Sequence, residues 1–333
     1  MTLPKFLWLR RLLGRPASLG WFFHPATEQY DPPHHPESPQ RIIAIQDELI
    51  RQKIWPRLTP IRGREATDLE IALAHSRSYL FRLEAHRPKP GKIHRLDDDT
   101  VLTHNALTAA RFATGSVLKA VDYVMAGKIK NAFCAIRPPG HHARSRKNGS
   151  FCLLNHAAAA ALYAATRHRL KRIAILDFDI HRGDGTEEIL GGHPYINILG
   201  ISQNRLYPFD DALPPENCRN VPLPENCTSR TFREKIRQEW LPRLKEHRPQ
   251  LILLSAGFDG HQDDPLSNTR LHTADYAWLT HKIMRHAPNG SRIVSILEGG
   301  YHLESLAQSA AAHLHVLAGL GKPEYAAEYE KTI

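Results

Sequence analysis

From residue 130 onward, short runs of apolar residues alternate with longer segments in which apolar residues recur every three or four positions. The runs predict strands over 132–136, 172–178, 195–201, 250–256 and 292–297. The longer segments predict helices over 155–168, 228–247, 273–287 and 303–319. Continuous apolar runs are typical of strands buried on both faces, and strands that alternate with helices form parallel sheets covered by helices. We therefore predict an α/β fold.

The first part of the chain is organised differently. Residues 1–20 carry basic residues and no acidic one, and they lack the apolar core and cleavage site of a signal peptide. We predict that 1–20 form a basic extension and that 21–333 form one domain. Further helices are predicted over 40–52, 67–74, 75–87 and 103–126. No stretch approaches the roughly 18 apolar residues of a membrane span, so we expect no membrane partner.

The stretch Ile173–Thr186 is an apolar run that ends in a cluster of aspartate and histidine residues. Asp177, Asp179 and His181 fall at or just past the end of a buried strand, the edge at which ligands bind in open α/β sheets. Residues i and i+2 of a strand point the same way and lie about 6.6 Å apart, so Asp179 and His181 can bind one cation. The alternative is an ordinary polar loop that caps the next helix.

Three other predicted strands also end in residues that can do chemistry. The first is followed by Arg137–Ala143, which contains two adjacent histidines after Pro-Pro-Gly. The others are followed by Ser255–Leu266, with aspartates at positions 259, 263 and 264, and by Leu297–Leu303, in which paired glycines precede a tyrosine. Because the carboxyl ends of parallel strands meet at one edge of a sheet, we expect the four stretches to build one site.

Composition narrows the function classes only a little. With 42% hydrophobic residues, the chain of 333 residues can bury a substantial core. The net charge of +10 would suit a nucleic-acid partner, but basic residues are mixed with acidic ones, which favours a solvated surface. The four cysteines show no CxxC spacing, and we expect reduced thiols in a cytoplasmic protein.

The four stretches Arg137–Ala143, Asp177–Thr186, Ser255–Leu266 and Leu297–Leu303 resemble the signature segments of the zinc-dependent histone deacetylase superfamily. This superfamily includes acetylpolyamine amidohydrolases and acetoin-utilisation proteins, and the third stretch is similar to the class II-like branch and its bacterial relatives. The resemblance extends more weakly over about 21–320. It implies the arginase/deacetylase fold, a single domain with an eight-stranded parallel sheet flanked by helices on both faces.

The resemblance also implies a zinc ion held by Asp179, His181 and Asp264. One imidazole and two carboxylates suit Zn²⁺ at a catalytic site. Two carboxylates cancel the formal charge of the metal, so its bound water should be less acidic than water held by three neutral histidines. A general base is therefore needed.

The family pattern makes His142 the general base, which takes the proton of the water and later protonates the leaving amine. The same pattern implies that His141 stays largely protonated, that Asp177 orients His141 and that Asp184 orients His142. Tyr301 is expected to donate a hydrogen bond to the oxyanion that develops on the acyl carbonyl.

The resemblance implies an acylated amine as substrate, and an acetylated lysine side chain is favoured. Phe151 and Tyr207 resemble the two aromatic walls that enclose such a side chain. The other predicted substrate contacts are Leu266, Gly300 and Asp98. Leu266 lacks the acidic character found at this position in a polyamine-selective relative, which favours a peptide or a small neutral amide over an acetylpolyamine.

Some positions depart from the family pattern. Arg182 stands where relatives commonly have a second histidine, and Ser150 replaces a glycine, which narrows the floor of the substrate tunnel. Gly200 and Ser202 occupy positions at which relatives carry Ser and His, near an inner site for a monovalent cation. A structural K⁺ ion is therefore left open.

Three other functions are considered. A binuclear manganese ureohydrolase shares the sheet but leaves the paired histidines and Tyr301 unexplained. A non-catalytic module that binds acyl-lysine does not need a complete set of base, ligands and tyrosine. Nucleic-acid binding through the basic surface would show a steep dependence on salt. The formation of homo-oligomers is also left open.

Overall fold

The computed structural model describes residues 17–209 and 213–333. Eight of its strands form one sheet: β1 (Ala17–Phe23), β2 (Leu58–Arg62), β5 (Ile129–Cys134), β6 (Ile173–Asp177), β7 (Ile196–Gln203), β8 (Cys218–Leu223), β9 (Leu251–Ala256) and β10 (Arg292–Leu297). All neighbouring pairs are parallel, in the order β2-β1-β5-β10-β9-β6-β7-β8. Two short strands, β3 (Ile93–Arg95) and β4 (Val101–Thr103), pair separately and antiparallel. The predicted α/β fold with an eight-stranded parallel sheet is confirmed.

Helices lie on both faces of the sheet. In chain order they are α1 (Gln40–Arg51), α2 (Asp68–Ile71), α3 (Arg77–Ala85), α4 (Ala106–Met125), α5 (His156–Arg167), α6 (Asp184–Leu190), α7 (Ser229–Lys235), α8 (Leu241–His247), α9 (Thr273–His286), α10 (Leu303–Leu317) and α11 (Glu324–Tyr329). The π-helical turn Ile236–Trp240 joins α7 to α8, so the helix predicted over 228–247 is one continuous element with a wider turn inside. Within the described ranges, every helix is too short or too polar to cross a membrane.

Alternate residues of each buried strand pack into two hydrophobic cores, one on each face of the sheet. In β6, Ile173 and Ile175 pack in the core that is shared with α4 and α5. Ala174 and Leu176 of the same strand pack in the opposite core, with α1, α9 and α10. Both faces of the strand are therefore apolar, which explains its continuous apolar sequence.

The domain begins earlier in the chain than predicted. Strand β1 starts at Ala17 and pairs with both β2 and β5, and Leu19 within it is fully buried. Residues 17–20, which were assigned to the extension, therefore lie in β1, and the small residues among them do not form a recognisable apolar run. The rest of the predicted extension, residues 1–16, lies outside the described residues.

The order of the strands in the sheet brings together the four stretches that carry the candidate site residues. Strands β5, β10, β9 and β6 are consecutive neighbours in the middle of the sheet. Each of the four stretches follows the carboxyl end of one of these strands, or begins within it. They therefore meet at one edge, as expected from the rule for open parallel sheets.

Truncation tests the corrected boundary. A chain that starts at residue 21 lacks Leu19 and the first half of the pairing between β1 and its two neighbours. Burial of one leucine stabilises a protein by about 1.5–3 kcal/mol, so the melting temperature should fall by about 2–4 °C relative to a chain that starts at residue 17. Calorimetry of both chains makes the comparison, and equal melting temperatures would contradict the new boundary.

A buried histidine makes the stability depend on pH. His313 is fully buried, with Thr280 Oγ1 2.6 Å from its Nδ1 and Ser295 Oγ 2.9 Å from its Nε2. Burial lowers the pKa of His313 from 6.5 to about 3. The unfolded chain therefore binds a proton that the folded chain excludes, and the contribution to stability is complete above pH 6.5 and is lost as the pH falls towards 3.

The corresponding variant is His313→Gln. In the wild-type chain, this histidine should reduce the free energy of unfolding by about 1.4 kcal/mol for each pH unit below 6.5, and the variant should lack this part of the slope. Urea unfolding of both chains at pH 7 and pH 5 measures the difference. A variant whose free energy falls as steeply as that of the wild type would refute the assignment.

Candidate active site

The turn after β5 presents two histidines, each bonded to a carboxylate. His141 Nδ1 lies 3.1 Å from Asp177 Oδ2, and His142 Nδ1 lies 2.7 Å from Asp184 Oδ1. All four side chains are buried. The structure thus brings together the two histidine–carboxylate pairs that were expected from the sequence, and in each pair the carboxylate fixes the orientation of the ring. Arg144 in turn donates to Asp184 from Nε at 2.9 Å.

The two adjacent histidines differ in charge. Burial alone would lower the pKa of His141, but the carboxylates of Asp179 and Asp177 outweigh burial and hold that pKa well above its ordinary value. Burial and the positive charge on His141 together lower the pKa of His142 to about 4, despite the opposing effect of Asp184. At neutral pH, His142 is therefore neutral and can accept a proton, whereas His141 carries a positive charge.

Three side chains at the ends of β6 and β9 could hold a metal ion. Asp179, His181 and Asp259 each offer one ligand atom, and these atoms lie within 4.8 Å of one another. His181 Nδ1 is 3.1 Å from Asp179 Oδ1 and 3.1 Å from Asp259 Oδ2. Burial would lower the pKa of His181, but these two carboxylates outweigh it and raise the pKa to about 10. The group thus attracts positive charge, and its donors fit Zn²⁺.

The prediction that Asp264 is the third metal ligand stays a prediction, and Asp259 is a second candidate for the same position. Asp264 Oδ2 accepts hydrogen bonds from the backbone N–H groups of Tyr301 at 2.6 Å and His302 at 3.2 Å, and Oδ1 accepts from Leu266 N–H at 3.0 Å. Its oxygens thus support the loop that carries Tyr301. Asp259 lies three positions after the end of β9, which keeps it at the sheet edge, and this short spacing was the signal available in the sequence.

Two glycines allow the carboxylates to approach the backbone. A Cβ atom at Gly257 would lie 2.2 Å from Asp179 Oδ2, and one at Gly299 would lie 2.1 Å from Asp259 Oδ2. Either contact is far inside van der Waals distance, so a side chain at these positions would push a carboxylate out of place. Instead, Gly299 N–H donates to Asp179 Oδ2 at 2.8 Å.

Tyr301 stands over the same site. Its ring packs edge-on against Phe151, with 5.4 Å between centroids, and the Arg41 guanidinium carbon lies 4.8 Å from the ring centroid. Burial raises the pKa of Tyr301 well above its ordinary value, although Arg41 opposes this shift. The hydroxyl therefore stays protonated and can donate a hydrogen bond.

A buried ion network supports the Tyr301 loop, and the sequence analysis did not identify it. Arg41 Nε donates to Gly300 O at 2.7 Å, and its NH1 lies 3.2 Å from Glu37 Oε1. Glu37 also accepts two hydrogen bonds from Arg137, at 2.7 and 2.6 Å. The three charged side chains are fully buried. Glu37 lies in the Pro/His-rich loop that precedes α1, and Arg41 lies at the start of that helix. The unusual length of the loop was the signal for a functional role.

The side chains surround one small cavity. It is lined by Pro139, His141, His142, Ser150, Phe151, Asp179, His181, Asp259, Leu266 and Tyr301. Of the predicted substrate contacts, Phe151 and Leu266 therefore line the cavity. The half-buried Tyr207 stands beside it, with its ring centroid 4.8 Å from that of His142. Gly300 turns its carbonyl to Arg41, and Asp98 is exposed and outside the lining residues.

Three of the residues that depart from the family pattern form a hydrogen bond or an ion pair with a neighbouring side chain. Arg182 NH2 lies 2.7 Å from Glu187 Oε2, so the positive charge of this arginine is balanced. Ser150 has a φ of 26°, in the left-handed region that favours glycine, and its Oγ donates to Asp99 at 3.1 Å. Ser202 Oγ accepts from the Asn220 amide at 2.8 Å. A K⁺ ion near Ser202 remains an untested prediction.

Comparison with known proteins identifies the family to which the chain is similar. The family model of the histone deacetylase domain matches residues 35–317. The uncharacterized protein slr0245 of Synechocystis sp. is 36% identical over 294 residues, which cover 86% of this chain and 94% of that protein. Polyamine deacetylase HDAC10 of Danio rerio is 31% identical over 309 residues, and this chain spans 45% of its length.

The fold is shared with a solved structure. The crystal structure of the HDA15 HD domain has a TM-score of 0.83 to this chain at 28% sequence identity, over 94% of this chain and 92% of that one. The family model covers most of the sequence, including all four stretches at the sheet edge. The resemblance inferred from the sequence is confirmed: the chain belongs to the histone deacetylase family, whose deacetylases are hydrolases that act on amides.

Proposed function

We propose that this protein is a zinc-dependent deacylase that hydrolyses the amide of an acylated amine, with an acetylated lysine side chain as the favoured substrate. The observation that carries the proposal is one cavity in which a buried Asp-His-Asp group lies beside a neutral histidine and a protonated tyrosine. Membership of the deacetylase family supports the same chemistry. A cytoplasmic location stays a prediction.

The proposed metal ligands are Asp179, His181 and Asp259. A zinc ion bound there would supply Lewis-acid polarisation of the acyl carbonyl and a more acidic water. We propose His142 as the general base that accepts a proton from the attacking water, because Asp184 bonds to its Nδ1 and the ring is neutral. Once protonated, the His142 imidazolium is stabilised by Asp184 and can pass the proton to the leaving amine.

The remaining groups stabilise negative charge on the acyl oxygen. The Tyr301 hydroxyl can donate a hydrogen bond to the acyl oxygen as the carbonyl becomes an oxyanion, and the protonated His141 adds positive charge nearby. Two supports hold Tyr301 in place: the Asp264 carboxylate bonds to its backbone N–H, and Arg41 bonds to the preceding carbonyl. Donors that are fixed in advance need no reorganisation during the reaction.

The cavity walls favour an uncharged acyl-amide group. Phe151 and Leu266 are apolar, so they can enclose the methylene chain of a lysine but offer no countercharge to a cation. A second candidate substrate is an acetylpolyamine. It is favoured by three consecutive aspartates at positions 97–99, of which Asp99 touches Ser150 in the cavity wall and could attract a cationic amine.

A turnover panel tests the proposal. Acetyl-lysine peptides, longer acyl-lysine peptides and acetylated polyamines are incubated with the zinc-loaded protein, and release of the free amine is measured. We expect the acetyl-lysine peptides to be hydrolysed fastest and a chelator to stop turnover. If polyamines are preferred, the second candidate is correct, and if no acyl-amine is hydrolysed, the proposed function is wrong.

The metal assignment leads to a paired prediction. Asp259→Asn removes a charged ligand, so zinc content should fall well below the value of about one ion per chain expected for a single group of this kind. Asp264→Asn is the matched control, because the same substitution nearby should leave zinc in place. Elemental analysis after gel filtration measures both. Zinc loss in Asp264→Asn alone would identify Asp264, the ligand expected from the sequence, as the third ligand.

The oxyanion donor can be tested by removal of one hydroxyl group. Tyr301→Phe keeps the ring against Phe151, so kcat should fall by about 10²–10³-fold while zinc content and KM change little. Tyr163→Phe is the control, since it removes a hydroxyl that bonds to Asp122 on the surface. Steady-state kinetics on an acetyl-lysine peptide decides. Near-full activity of Tyr301→Phe would exclude the tyrosine as donor.

Protonation of the general base should determine how kcat falls at low pH. Because the pKa of His142 is lowered to about 4, the neutral ring remains available well below pH 6.5, and activity should be lost only as the pH falls further. His142→Ala should lower kcat by about 10²–10⁴-fold and remove this acidic limb. An unchanged acidic limb in the variant would assign it to another group.

A further inference from the structure

Glu298 connects two loops of the candidate site. It follows β10 directly and stands three residues before Tyr301, and its side chain is fully buried. Its Oε2 accepts hydrogen bonds from Gly140 N–H at 2.7 Å and from His141 N–H at 3.2 Å. These two amides belong to the turn that carries His142. One side chain of the Tyr301 loop therefore holds the backbone of the histidine turn.

The backbone of Glu298 is itself fixed. Its N–H donates to Ala256 O at 3.0 Å, next to the loop that carries Asp259, and its carbonyl accepts a hydrogen bond from Arg41 NH2. Arg41 also bonds to Gly300 O, immediately before Tyr301. A movement of the histidine turn would therefore be resisted by the same backbone segment that positions the tyrosine.

We propose that Glu298 is a positioning residue, which locks the histidine turn to the Tyr301 loop so that His142 and Tyr301 keep one relative position. The catalytic consequence rests on the proposed deacylase function. The comparisons and the sequence analysis assign no role to this residue. Its side chain is not among those that line the cavity or form the metal group, and it contacts the lining residue His141 through the backbone N–H, so it would act through the two loops that it joins.

The hydrogen bonds of Glu298 are all directed at this turn. Its Oε1 is buried and has no hydrogen-bond partner in the part of the chain that the structure describes, and the carboxylate forms no ion pair there. A buried carboxylate normally binds a cation or several donors. Here the bonded donors are two neutral backbone N–H groups. The two N–H groups therefore require an oxygen acceptor at this position, and a neutral amide oxygen can serve as one.

Other contacts hold the opposite side of the turn. Asn155 Nδ2 donates to Ala143 O at 3.1 Å, and Thr186 N–H donates to His141 O at 3.0 Å. These contacts tie the carbonyl groups of the turn to α5 and α6. The turn is linked to the Tyr301 loop through its backbone N–H groups, to which Glu298 bonds.

Two conservative variants separate length from charge. Glu298→Gln keeps an oxygen at the same distance and loses the charge. Glu298→Asp keeps the charge but shortens the side chain by about 1.5 Å, so its oxygen no longer reaches both N–H groups. We expect kcat of the zinc-loaded Gln variant to stay within about threefold of wild type. The Asp variant should lose about tenfold to a hundredfold in kcat, with KM and zinc content nearly unchanged.

Ser295→Ala serves as the matched control. Ser295 lies on β10, three residues before Glu298, and is equally buried, but its Oγ bonds to His313 in the core. This variant should lower the melting temperature and leave kcat unchanged. A kcat loss in Ser295→Ala as large as in Glu298→Asp would show that kcat responds to any buried polar change on β10, and the proposal would be overturned.

A second measurement does not depend on turnover. Hydrogen exchange of the peptide that spans 137–143 reports directly on the two amides held by Glu298. Exchange at Gly140 and His141 should be faster in Glu298→Asp than in Glu298→Gln. Equal exchange in both variants overturns the proposal, as does wild-type kcat in the Asp variant or an equal kcat loss in both. If wild-type protein hydrolyses no acyl-amine, the deacylase function fails while the exchange result still decides whether Glu298 holds the turn.

Discussion

Two carboxylates, those of Asp179 and Asp259, are buried within 3.1 Å of one imidazole nitrogen of His181, and their mutual repulsion must be balanced by positive charge. The need to bring both carboxylates to one point explains the arrangement of the surrounding strands and glycines. Strands β6 and β9 are neighbours, so both carboxylates reach one point, and Gly257 and Gly299 leave room for their oxygens. The protonated His141 supplies part of this positive charge, and a divalent cation would supply the rest.

The same balance of charge assigns roles to the paired histidines. His141 lies close to the carboxylates of Asp177 and Asp179 and is held in its charged form, and burial together with that charge keeps His142 neutral. Two chemically identical residues thus become an electrostatic group and a base through position alone. The buried network of Glu37, Arg41 and Arg137 fixes the Tyr301 loop. The loss of one of these charges would leave the others buried and uncompensated.

Much of the fold and part of the site could be predicted from the sequence. Central strands such as β9 and β10 are apolar on both faces, so their runs are visible and their predicted limits agree with the structure to within a residue. Strands β2 and β8 contain proline and polar residues and lie at the edges of the sheet, and they were missed. The site was predicted where residues adjacent in sequence act together, but the choice between Asp259 and Asp264 depends on loop geometry. The contact between Glu298 and Gly140 spans 158 positions and leaves no local pattern.

The central claim is that one metal ion belongs between Asp179, His181 and Asp259. The most direct measurement is X-ray diffraction from crystals of the zinc-loaded protein, with data collected on both sides of the zinc absorption edge. We predict a single anomalous peak within bonding distance of His181 Nδ1 and one oxygen of each of the two carboxylates, about 2.0–2.2 Å from each ligand atom. A peak bonded to Asp264 in place of Asp259, or two neighbouring peaks, would contradict this account of the site.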